Sequence, residues 1–230
     1  MDSWTPRRHR YLLLLLTILA AIVIGMSGGP FPYVREGILT LAMVLVFLTV
    51  FDRRVMRLAS LSAGLIVVAA LWTLRLAPDA TSRGIEIAVH FGLVLFLGLA
   101  VAMILRHLFE RRAINIDDIL GTMCGYLLAA LAWANLYGLL EVLMPGSFAV
   151  EGLDKPALLE WFRRESLFVY FSLTTLTTIG YGDVTPVAPA ARSAAMIEGV
   201  FGQFYIAVVV AQLVGSKLAE ATTHSGSDRH

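Results

Sequence analysis

The sequence predicts an all-α membrane protein: six transmembrane helices, with a short re-entrant helix and loop between helices five and six. Three observations predict it. Hydrophobic residues are 58% of the 230 and charged residues only 15%, with a mean hydropathy of +0.76, far outside the range of soluble domains. Six apolar runs approach or exceed the length that crosses about 30 Å of hydrocarbon at about 1.5 Å per helical residue. Between the fifth and sixth runs lies an apolar piece too short to span, followed by a loop with glycines at alternate positions.

The runs cover residues 11–27, 36–51, 58–77, 85–108, 119–144 and 194–218, and the short piece covers 167–179. The first two are brief for a full crossing and are expected to stand upright or thin the bilayer locally. Alternating sidedness places eleven of the 18 Lys and Arg on one side, among them Arg7, Arg53, Arg106 and Lys217, and seven on the other. By the positive-inside rule the larger group faces the cytoplasm, so both termini are expected there, in a multi-pass cell-membrane protein. The leading "RRHR" and its leucine run also fit a signal peptide, but no clear A-x-A site precedes Gly28 and Gly29. The polar residues 219–230 are expected to be disordered. Richness in Leu, Ala and Arg points to a prokaryotic inner membrane.

The loop "TLTTIGYGDVTP" starts at Thr175. Lipid cannot satisfy backbone amides and carbonyls, so non-helical backbone at membrane depth must be covered by protein or line a watery cavity. Gly180 and Gly182 alternate with Ile179 and Tyr181, and glycine enters positive φ without steric penalty. Successive carbonyls then face one way, where in a regular strand they would alternate. Such a column, with the Thr178 hydroxyl, offers hard uncharged oxygens that can replace the hydration shell of a monovalent cation. Residues 166–177 fit a short helix with Ser166 as N-cap, whose C-terminal end would direct its negative dipole end at the loop.

"TTIGYGD" resembles the selectivity filter of the potassium-channel family, with isoleucine in place of the commoner valine. The resemblance implies K⁺ coordination by Thr178, Ile179, Gly180 and Tyr181, with Thr177, Gly182 and Asp183 in support. It further implies that the Tyr181 ring turns outward to hold the filter's diameter and that Asp183 anchors the outer end. It covers about residues 119–218, taking 194–218 as the inner helix that lines the cavity below the filter. Gly202 falls where many relatives carry a hinge glycine; Gly199 and Gly202 are therefore hinge candidates, against the alternative that they permit close helix packing. The implied organisation is a four-helix membrane domain at 1–112, a pore domain at 113–218 and a tail at 219–230. One filter copy per chain implies a homotetramer, with membrane lipids and K⁺ as the other partners, no cofactor, and K⁺ as the permeant ion.

Other classes fit less well. A formal charge of +1 leaves no basic surface for nucleic acid. Cys124 is the sole cysteine, which excludes an intrachain disulfide and a cysteine metal cluster, and it reads as small packing. No H-E-x-x-H, G-x-S-x-G or Walker sequence points to an enzyme. A secondary transporter would show two interrupted segments in paired repeats, where this chain has one. A non-conducting modulatory subunit would not need the intact carbonyl ladder. In the fourth span Glu86 and His90, four apart on one face, are candidates for proton sensing; near the helix end, water or headgroups are expected to reach both. Asn135 is expected to bond a neighbouring helix, in a position suited to the inner helix.

Six spans with the pore last also match the layout of voltage-gated channels, but the fourth span has no arginine at every third position, only Arg83 and Arg106 at its ends. Each gating charge contributes about 2.3 kcal/mol per 100 mV, so steep gating needs several. Voltage dependence is therefore expected to be weak. Tail-current activation curves test this, and a steep curve from this chain alone would refute it.

Overall fold

The structure is a computed structural model that describes residues 10–26, 32–50, 83–110, 114–150 and 161–227. Its elements are α1 (Arg10–Met26), α2 (Pro32–Val50), α3 (Arg83–Glu110), α4 (Ile116–Leu143), β1 (Phe148–Val150), α5 (Trp161–Leu176), β2 (Val184–Pro186) and α6 (Pro189–Ser227). Arg83–Glu110, Ile116–Leu143 and Pro189–Ser216 are long and apolar enough to cross a membrane, while Tyr11–Gly25, Thr40–Val50 and Ser166–Leu176 are shorter apolar helices. The expected third span at 58–77 lies outside the described residues. Two expected boundaries move. The short helix begins at Trp161 rather than Ser166, and α6 continues to Ser227, so residues 219–227 of the expected disordered tail are helical.

Helices α3 and α4 form the broadest helix pair, and α1 packs between α2 and α4. Their shared core holds Leu14 and Ile18 of α1, Val46 of α2, Ala100 of α3, and Cys124 and Leu128 of α4, all at most 1% exposed. Cys124 is thus a core residue, its thiol directed at the Tyr11 carbonyl at 3.4 Å. The start of α4 is set by its sequence: the Asn115 amide donates to the Asp118 carboxylate at 2.9 Å, and Asp117 and Asp118 place negative charge in the first turn, where the helix dipole favours it.

The other end of α4 is closed with equal care for its carbonyls, because terminal carbonyls lack helical partners. The Arg83 guanidinium donates to Val142 O from Nε at 3.0 Å and from Nη2 at 2.7 Å, and to Leu143 O at 2.9 Å. Pro145 then ends the helix, Gly146 turns with φ +88°, and the Glu141 carboxylate accepts from the amides of Gly146 and Ser147. This turn delivers β1, which pairs antiparallel with β2 in the register Phe148 to Pro186 and Val150 to Val184. The two-stranded tie joins the exit of α4 to the exit of the loop after α5. A second core gathers beneath it, built on the aromatic rings of Tyr137, Phe148, Phe168 and Phe171, with centroids 4.9–6.5 Å apart.

Where α3 crosses α4, the His90 ring lies over Gly138. A Cβ at Gly138 would meet His90 Cε1 at 2.6 Å, whereas one at Gly98 would meet nothing within 4 Å. Gly138→Ala is therefore expected to destabilise the protein by about 1–3 kcal/mol through overpacking. Gly98→Ala should be neutral or gain up to about 1 kcal/mol from helix propensity. Thermal unfolding of both variants in one detergent checks the contrast.

Candidate functional site

Helix α5 packs against α4 on one side and α6 on the other, and the loop Thr177–Asp183 rises from its C-terminus. Three polar contacts fix the helix. The Tyr126 hydroxyl of α4 donates to Leu176 O at 2.9 Å, the Ser172 hydroxyl lies 2.8 Å from Ala130 O, and the Ser166 hydroxyl donates to Gly25 O of α1 at 2.8 Å. Ser166 is thus not the N-cap expected from the sequence: the helix begins five residues earlier, and its hydroxyl ties α5 to α1.

The loop's backbone folds back on that helix. Thr178 N donates to Thr175 O at 3.0 Å, and both Ile179 N (2.8 Å) and Gly180 N (3.1 Å) donate to Thr174 O. Positive φ occurs at alternate positions: Thr178 at +60°, Gly180 at +54° and Gly182 at +84°. The sequence made two of these legible, because they are glycines; Thr178 is the one positive-φ residue other than glycine among the described residues. A β-branched residue there is strained, and strain of this kind persists only where surrounding contacts over-determine the backbone. Ile179 and Tyr181, between these positions, do not share the positive φ.

Toward the outer end, Asp183 accepts from the Tyr170 hydroxyl at 2.8 Å and from its neighbour's amide, Val184 N, at 3.0 Å. The Tyr181 ring stacks parallel to Tyr170, with centroids 6.2 Å apart. The main-chain oxygens of Thr177 to Gly182 carry no formal charge. With three amides donating to α5 and positive φ at every second residue, the arrangement can offer neutral main-chain oxygens to a cation. Among the described residues, no cluster of His, Cys, Asp or Glu has the makings of another metal site.

The proton-sensing candidates are placed differently from expectation. His90 is 4% exposed, with Nδ1 3.2 Å from Asn135 Oδ1, so water does not reach it as the sequence implied. Glu86 is half-buried on the same helix. Asn135 faces α3 through His90 and donates to Leu131 O of its own helix at 2.8 Å. It does not reach for the inner helix, because the α3–α4 seam is where its face of α4 points. Sequence reasoning missed Glu198 on α6, which is fully buried and bonded through its two oxygens to Tyr137 and Ser172. A lone acid inside the apolar run "AAMIEGVFG" was the available signal.

The two inner-helix glycines separate on geometry. A Cβ at Gly202 would collide with Leu176 O at the end of α5, whereas at Gly199 it would meet nothing within 4 Å. Close approach therefore accounts for Gly202. Gly202→Ala is expected to displace the end of α5, lowering stability by about 1–3 kcal/mol and reducing ion flux from reconstituted protein, while Gly199→Ala should leave both near wild type. A loss of flux with Gly199→Ala and not with Gly202→Ala would reverse this assignment.

Two comparisons bear on identity. No curated protein matches the chain. Residues 161–216, which span α5, the loop and the apolar part of α6, match a family model described as an ion channel. The described residues are mostly helical, with three helices long and apolar enough to cross a membrane, and the similarity of residues 161–216 to an ion-channel domain supports a membrane protein that conducts ions passively.

Proposed function

We propose that the chain is one subunit of a homotetrameric potassium channel, in which Thr178, Ile179, Gly180 and Tyr181 coordinate dehydrated K⁺ through their main-chain oxygens, with Thr177, Gly182 and Asp183 in support. The observation that carries this reading is positive φ at Thr178, Gly180 and Gly182 in alternation, on a loop whose amides bond back to α5. Alternation aims carbonyls one way, and neutral oxygens in a ring bind a monovalent cation firmly enough to strip its water yet loosely enough to release it.

Two features support the tetramer. A single loop supplies one side of a ring, so an axis must supply the others. The inner helix also leaves Met196, Ile197, Val200 and Phe204 between 54% and 72% exposed in the isolated chain, a face suited to neighbouring copies. In this reading the protein has six spans, is multi-pass in a cell membrane with cytoplasmic termini, and needs no cofactor.

Purified protein in liposomes with opposed K⁺ and Na⁺ gradients tests the proposal. The expected reversal potential follows K⁺, at about 59 mV per tenfold gradient for a univalent carrier of charge. Gly180→Ala should abolish flux, since an added Cβ resists the observed φ of +54°. A reversal potential indifferent to which of K⁺ and Na⁺ is varied would remove the potassium reading, and a dependence on substrate co-transport would favour a secondary transporter.

A further inference from the structure

Glu198 is an acid in the middle of the inner helix, fully buried, between two residues that are themselves fully buried, Tyr137 on α4 and Ser172 on α5. The Tyr137 hydroxyl bonds Glu198 Oε2, Ser172 Oγ bonds Glu198 Oε1, and Ser172 Oγ also lies 2.8 Å from Ala130 O. These are three contacts, yet the two hydroxyls bring only two protons between them. A carbonyl oxygen only accepts, and an ionised carboxylate only accepts. If Glu198 were ionised, Ser172 could serve Ala130 or Glu198 but not both, and one contact would set two acceptors face to face. A third proton, on Glu198 Oε1, satisfies all of them: Tyr137 donates to Oε2, Oε1 donates to Ser172, and Ser172 donates to Ala130 O.

We propose that Glu198 is held neutral and acts as a positioning residue for conduction, its proton completing the chain of hydrogen bonds that fixes the filter-bearing helix α5 to both α4 and α6, so that alkaline pH disengages α5 and lowers K⁺ flux. The inference rests on the potassium-channel reading. Among the described residues no ion pair offsets the charge that deprotonation would create. From α4, Glu198 faces Tyr137, with Tyr126 within electrostatic reach; from α5 it faces Ser172, while the Tyr170 hydroxyl is directed to Asp183. Among the described residues the salt bridges join Arg106 to Glu110 and His107 to Asp118, and neither reaches Glu198. An unpaired carboxylate buried in a membrane-spanning segment is costly, and relief requires the Ser172 and Tyr137 contacts to rearrange. Ser172 lies only two residues before Thr174, whose carbonyl holds the amides of Ile179 and Gly180, so movement of this turn reaches the filter directly.

The test is K⁺ flux from liposomes titrated from about pH 5 to about pH 10, a range that brackets ordinary and strongly shifted carboxyls. Wild-type flux should hold at the acid end and fall by about tenfold per pH unit above its midpoint, as expected for release of one proton. Glu198→Gln, whose amide can donate to Ser172 while its carbonyl accepts from Tyr137, should conduct with unchanged K⁺ over Na⁺ preference and lose the alkaline fall. A flat wild-type profile, or a Glu198→Gln profile that tracks wild type, overturns the proposal. Infrared difference spectra of wild type against Glu198→Gln read the same proton without conduction: a protonated-carboxyl stretch should be present at acid pH and disappear on alkalinisation, and its absence at acid pH overturns the proposal. Should Glu198→Gln fail to assemble, Tyr137→Phe removes a donor that favours the ionised form and should move the flux midpoint to higher pH; an unmoved midpoint counts against the role. Absence of K⁺-selective flux at every pH would instead refute the channel reading, leaving the infrared result to stand alone.

Discussion

A stretch of backbone that is neither helix nor strand, set between two apolar helices, constrains everything around it. Its amides and carbonyls must each be given a partner, and the loop after α5 divides them. The amides of Thr178, Ile179 and Gly180 turn back to the carbonyls of Thr175 and Thr174, which are themselves orphans of the helix end. One set of unmet groups thereby satisfies another. The carbonyls of the same stretch are left as neutral acceptors, which is the feature the proposed cation site relies on.

A loop arranged this way is only as definite as the helix it folds back upon. Contacts hold α5 at successive depths: Ser166 to α1, Ser172 and Glu198 to α4 and α6, Leu176 O to Tyr126, and Leu176 again against Gly202. Beyond the loop, Tyr170 carries both the Asp183 hydrogen bond and the Tyr181 stack, and the β1–β2 tie returns the chain to the end of α4. Apolar packing alone is weakly specific in depth, because aliphatic neighbours differ little in energy when a helix slides. Directional hydrogen bonds at several levels remove that freedom, and they account for finding buried Ser, Glu and Tyr in so apolar a chain.

Much of this was legible from residue types, and the exceptions share a cause. Apolar run lengths anticipated α1, α3 and α4 to within a few residues, because span length follows from bilayer thickness. Gly180 and Gly182 announced positive φ because few other residues tolerate it; Thr178 could not, since its side chain argues for extended backbone, a preference overridden where the loop folds back onto Thr175 and Thr174. Ser166 looked like a cap because serine is a preferred N-cap residue, yet the helix begins five residues earlier and runs through it. Glu198 went unread because its partners lie 61 and 26 residues away along the chain. The strands are three residues each, too short for alternation to register. Local signals report what a segment prefers alone, and each miss sits where a distant segment decided.

The described early helices bear on α5 and its loop in the same currency of packing rather than charge. Arg83 is engaged with the carbonyls at the end of α4, and Arg106 is paired with Glu110 one turn away, so both arginines flanking α3 are fixed at its ends and neither lies along the span. A membrane field acts through charge displaced across it, and these two groups offer little displacement, which supports the expectation of weak voltage dependence. Mechanical connection is better developed: α4 is shared by both cores, packing on α1, α3 and Tyr205 of α6 through one set of residues and on α5 and the start of α6 through another. Any shift of α1 relative to α4 strains the Ser166 to Gly25 bond at the start of α5, and any shift of α6 strains Glu198 near the middle of it. Helix α5 is therefore the element where displacements of α1 and of α6 meet, and a loop whose amides bond the carbonyls of that helix moves with it.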